Sequence, residues 1–164
     1  MSFKNQTLIK LLIATLLTTT LYSKDTNSTK SNWKNRLDPV YLINVDKYPK
    51  FSAKMVLKDG RVIEFASVKS MMNFYFHPEK YPDYRVKDRT QVDKMFVKDY
   101  ITGKEINAKD AWYVFGSRLI GPHGDDLIPL SSQTSVRLFK QKYGGTRVMR
   151  IDKFTFGLIK YLDM

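Results

Sequence analysis

Short runs rich in β-branched and aromatic residues alternate along this chain with turn residues and two helix-like stretches, and their order predicts the elements. A strand is expected over 40–45, followed by a Lys47-Tyr48-Pro49-Lys50 turn. Ala53-Lys54-Met55-Val56-Leu57 reads as a strand, Lys58-Asp59-Gly60 as a hairpin turn in which glycine supplies positive φ, and Val62-Ile63-Glu64-Phe65 as the return strand. Ser67 then caps a helix predicted over 68–76, which His77-Pro78 stops. A loop rich in proline and charge leads to a strand over 94–100. The order is ββαβ.

The second half repeats it. A strand over 111–117, a turn over 121–126 and a return strand over 127–130 precede a helix capped by Ser131 or Ser132 and running to Tyr143. Gly144-Gly145 ends that helix, and the last strand is expected over 147–151. Residues 64–71 and 128–135 align as strand, cap and helix start. The predicted fold class is therefore α+β, with two similar ββαβ lobes. The expected boundaries are an export signal at 1–23, a polar linker at 24–38, lobes at 39–102 and 103–152, and a C-terminal tail at 153–164.

Composition narrows the setting. With 164 residues, 43% hydrophobic and 13% aromatic, the chain can bury a core. No cysteine is present, which excludes disulfides, thiolate nucleophiles, cysteine-ligated zinc and iron–sulfur clusters. Lys4 and Lys10 precede an apolar run of about 11 residues, the length of a signal-peptide core and too short for a bilayer span. Leu21-Tyr22-Ser23 before Lys24 is an acceptable cleavage site. A lipoprotein anchor would need a cysteine there. Cleavage removes two of the positive charges in the formal +12 and leaves +10. Outside the cytosol such a charge favours acidic proteins and anionic surfaces as peripheral contacts. No basic helix or aromatic ladder with interleaved arginine supports nucleic-acid binding.

Enzymatic chemistry finds little purchase. His77 and His123 are the two neutral-pH bases, and neither stands near a Gly-x-Ser-x-Gly elbow. Asp125-Asp126 reads as a solvated turn pair, and no glycine-rich phosphate loop is present. A soft metal fits better, because thioether and imidazole both suit Cu(I) in a chain without thiols. The candidate ligands are His123 in the Gly-Pro-His-Gly turn, Met71 and Met72 in the first helix, and His77 at its end. Methionines in a helix also serve as core filling, whereas a histidine between proline and glycine on a strand connection does not.

Lys47 to Met55, Lys58-Asp59-Gly60, Val97-Lys98-Asp99-Tyr100, Ala111 to Ser117, Gly121-Pro122-His123-Gly124 and Gly144-Gly145 stand in this order. In that order and spacing the chain resembles the NosL family of nitrous oxide reductase accessory proteins over about residues 38–152. The resemblance implies a periplasmic copper-binding protein, usually a lipoprotein, that helps deliver copper to nitrous oxide reductase or another copper-handling protein. It also implies a scaffold of paired ββαβ lobes shared with organomercurial lyase, whose own chemistry needs absent thiols. Three positions depart from the family pattern. The Cys-x-x-Cys-Gly-Met segment reads Asp38-Pro39-Val40-Tyr41-Leu42-Ile43, the lipobox cysteine is missing, and Pro-Met-Gly reads Pro122-His123-Gly124. A thiolate-free site should hold Cu(I) more weakly and accept Cu(II) as well. The alternative expectation is a metal-free basic module that docks an acidic periplasmic partner.

Overall fold

The structure is a computed structural model that describes residues 36–164, so the expected export signal and most of the polar linker lie outside the described residues. The elements are β1 (Ala53–Leu57), β2 (Val62–Phe65), α1 (Val68–Phe76), β3 (Val92–Lys98), β4 (Glu105–Asn107), β5 (Trp112–Phe115), β6 (Ile128–Leu130), α2 (Gln133–Tyr143), β7 (Arg147–Met149) and α3 (Phe156–Tyr161). Two antiparallel sheets have the orders β2-β1-β3-β4 and β6-β5-β7. In each, the first strand of the ββαβ unit is central. Its hairpin partner lies on one side and the strand that follows the helix lies on the other. The α+β class with a doubled ββαβ order is what the sequence predicts.

Local chemistry explains the element ends. Gly60 has φ +87 in the β1–β2 turn, a region open to glycine without steric cost. α1 and α2 each start on a serine whose side chain accepts a backbone N–H three residues on, Ser67 from Ser70 and Ser132 from Ser135. Along β1, Ala53, Met55 and Leu57 are buried while Lys54 and Val56 alternate outward. They join Phe65, Met71, Met72 and Phe74 in the larger core. The smaller core holds Val114, Ile128, Leu130, Val136 and Phe139.

A repeated aspartate turn precedes each unit. The Asp38 carboxylate accepts the N–H groups of Val40 (2.8 Å) and Tyr41 (3.0 Å), and across the chain that of Ala66 (2.7 Å). Asp99 does the same with Ile101 (2.9 Å), Thr102 (2.8 Å) and Ser131 (2.6 Å). Ala66 and Ser131 each stand one residue before a helix cap, so the two aspartates dock equivalent loops on equivalent helix starts. Leu42 and Gly103 close the two loops with N–H bonds to the Asp38 and Asp99 carbonyls, and both take positive φ, +56 and +70.

This device corrects the strand expected over 40–45. Capture by the Asp38 side chain curls the segment into a turn that ends in a single 3-10 turn at Val45–Lys47. The first sheet also extends past residue 102, because the second aspartate turn folds β4 back onto β3 (Val97 opposite Ile106). Residues 153–164 are more than a tail. A 3-10 turn and α3 return Phe154, Ile159 and Leu162 to the larger core. Among the described residues, no helix is long and apolar enough to cross a membrane.

Candidate functional site

The loop between β5 and β6 is anchored from beneath by a buried lysine. Lys69, in the first turn of α1, has no solvent exposure. Its ammonium donates to the His123 carbonyl and to the Leu162 carbonyl at 3.0 Å, and pairs with Asp163 at 3.1 Å. Removing an ammonium from water costs several kcal/mol unless its hydrogen bonds and charge are met. Here two carbonyls and a carboxylate meet them. Residues from α1, the β5–β6 loop and the segment after α3 therefore converge on one nitrogen.

Asp126 closes the same anchor from the loop side. One carboxylate oxygen accepts the Lys69 N–H at 2.9 Å and the Leu127 N–H at 2.8 Å. The other, Oδ2, is buried with no hydrogen-bond partner in the structure. Complete burial raises the carboxyl pKa to about 6, against the pull of the Ser67 hydroxyl, the two N–H donors and the Lys69 charge. Gly121 packs directly on this carboxylate, since a Cβ there would come within 2.9 Å of the Asp126 Cβ. The sequence reading of Asp125-Asp126 as a solvated pair holds for Asp125 alone; Asp126 is core.

Above the anchor, the His123 ring lies exposed and stacked on Tyr41, with centroids 4.0 Å apart and planes 11° from parallel. Its backbone carbonyl carries the bond to Lys69. The imidazole is thus positioned without its nitrogens being needed for that anchoring. Tyr41 is fixed in turn by its hydroxyl, which donates to Asp163 at 2.6 Å. Asn73 donates to the other oxygen of the same carboxylate at 3.2 Å. Burial and the Asp163 charge push the Tyr41 phenol well above its ordinary range, so it stays a neutral donor.

The other candidate ligands have different surroundings. Met71 and Met72 are fully packed in the larger core, so as ligands they would have to leave it. His77 bonds Glu79 at 2.9 Å and meets the Phe156 ring edge-on at 4.3 Å. Among the described residues, no three His, Asp or Glu side chains cluster as a metal-holding group. Tyr41, Lys69, Asp126 and Asp163 were missed as a set. A lysine between Ala66-Ser67-Val68 and Ser70-Met71-Met72, a stretch with no other charge, was the one local signal for them.

The sequence profile of the NosL family matches residues 34–158. The chain belongs to the NosL family. Two solved NosL structures are similar to it. The copper chaperone NosL from Shewanella denitrificans has 25% identity and a TM-score of 0.55, over 65% of this chain and 79% of that one. The apo-NosL protein from Achromobacter cycloclastes has 20% identity and a TM-score of 0.46, over 65% of this chain and 87% of that one. None of the curated proteins matches this sequence.

Family membership sharpens the account of the first aspartate turn. On the resemblance described above, Asp38 and Tyr41 stand in this NosL chain at the two positions where the family pattern carries cysteines. Asp38 is saturated by the three backbone N–H groups and by the Ser70 hydroxyl at 2.6 Å. Tyr41 carries the stacked imidazole. Leu42 takes the left-handed backbone at φ +56, at a cost of order 1 kcal/mol for a residue with a Cβ. The residues present do not make a thiolate-type site; they offer one fixed, accessible imidazole.

Proposed function

We propose that this chain is a periplasmic accessory protein of copper handling that carries copper as a transient cargo on His123 and passes it to a copper enzyme such as nitrous oxide reductase. Its place in the NosL family and its likeness to a copper chaperone support the cargo. The observation that carries the assignment to His123 is the stacked, outward-facing imidazole on a loop whose position is set through its own carbonyl. A single neutral imidazole suits both Cu(I) and Cu(II) and gives a weaker hold than a thiolate pair, as suits a cargo that must be released. The role is delivery, with no bond made or broken in the cargo.

Competition titration tests it. Purified protein lacking residues 1–23 should draw Cu(I) from a weak chromophoric chelator in a one-to-one ratio, and His123→Ala should abolish that uptake while melting within a few degrees of the parent. Equal uptake by both proteins would remove His123 from the site.

A further inference from the structure

The second lobe carries a surface that the copper reading leaves unused. α2 packs on its sheet through Val136 and Phe139, and the rest of its length faces water. From Ser131 to Arg150 the chain holds five cations, Arg137, Lys140, Lys142, Arg147 and Arg150, and no Asp or Glu. At the C-terminal end of α2 lies an open cavity of about 290 Å³ floored by Phe139. Tyr100 and Tyr143 wall it, with ring centroids 5.9 Å apart and planes perpendicular. Ile101 and Leu138, exposed at 42% and 55%, stand at its edge.

Two lysines frame this opening. Lys50 Nζ lies 5.6 Å from the Tyr100 centroid and Lys142 Nζ 5.2 Å from that of Tyr143. No carboxylate is among the described residues that line the cavity. Aliphatic and aromatic side chains left exposed beside a concavity, under fixed positive charge, are the features of a recognition site.

We infer that this cavity at the C-terminal end of α2 docks an acidic segment of a partner protein, with one aromatic or aliphatic side chain packed against Leu138 and the joined Tyr100–Tyr143 rings and flanking carboxylates on Lys50 and Lys142. Charge complementarity selects an anionic occupant. Concavity selects a side chain over a bilayer, because the apolar groups edge a hollow and the lysines lie against ring faces. The surface is independent of His123, so each can fail without the other.

The probe is a short fluorescein-labelled peptide of alternating Asp and Glu around one central Phe, read by anisotropy against the protein lacking residues 1–23. Binding is expected, weakening as salt rises. It should fall about tenfold or more in Leu138→Ser and in the double variant Lys50→Glu/Lys142→Glu, as for loss of a central anchor or of paired rim charges. Replacing the peptide's Phe by Ser should weaken it comparably. Lys94→Glu, on the exposed face of the first sheet, and His123→Ala should leave it unchanged. No binding, or an equal loss in Lys94→Glu, would overturn the inference. Binding to phosphatidylglycerol vesicles without binding to the peptide would overturn it in favour of a membrane surface.

Discussion

Two helices start in the same way, on a serine cap behind a loop held by a buried aspartate, and then diverge. α1 reads Val-Lys-Ser-Met-Met-Asn-Phe-Tyr-Phe and buries six of its nine residues, its lysine among them. α2 reads Gln-Thr-Ser-Val-Arg-Leu-Phe-Lys-Gln-Lys-Tyr and buries two of eleven. The first lobe has four strands, and the C-terminal α3 returns against α1 and the larger core. The second has three strands and leaves the outer face of its helix to water. One topology thus supplies both a rigid floor for a loop and a charged surface. Sequence on the outer face of the helix decides between the two, while the strand order stays the same.

The sharpest way to break this comparison is to mutate matched positions two residues after each cap. Lys69→Ala should destabilise the fold by about 3 kcal/mol, because it takes the ammonium away from Asp163 and leaves the Leu162 carbonyl, which is buried, and the His123 carbonyl without their donor. Thr134→Ala, its counterpart on α2, should cost about 0.5 kcal/mol or less. Urea unfolding of both variants reads the difference. Equal effects would mean that the anchor under the His123 loop carries no special energy.

The next effect is smaller and depends on pH. The Asp126 carboxyl titrates near 6 in the folded chain against 3.8 without the fold. Between those values the folded protein holds a proton that the unfolded chain has released, so stability falls as pH rises through this window and levels off above it. A shift of this size corresponds to about 3 kcal/mol. In Asp126→Asn that share of the slope should vanish, and unfolding curves collected from pH 4 to 7 compare it with the parent. Parallel pH profiles for the two proteins would contradict the burial of a free carboxyl behind Gly121.

What was legible in the sequence was local. Gly60 in its turn, Ser67 as cap, His77-Pro78 as stop and Gly144-Gly145 after α2 mark elements through their own backbone preferences, and the ββαβ order follows from them. What was missed acts at long range. Asp38 turns a strand-like stretch by capturing the Ala66 N–H, 28 residues away, and Lys69 is buried by carbonyls 54 and 93 residues away. Nothing in a window of neighbours announces such partners. Of the candidate ligands, His123 was readable as an exposed loop residue, because Pro122 and Gly124 rule out a core role. Met71 and Met72 were ambiguous by chemistry, and packing placed both in the core. The paired aspartate turns could have been found by aligning Asp38 to Ile43 with Asp99 to Lys104, but the two share only their first residue.

The central claim is that copper sits on the His123 imidazole and on no methionine. X-ray absorption at the copper edge of the Cu(I)-loaded protein tests it most directly. The account predicts nitrogen and oxygen neighbours with the multiple-scattering signature of one imidazole, lost in His123→Ala. A sulfur shell that persists in that variant would place the metal on thioethers and contradict it.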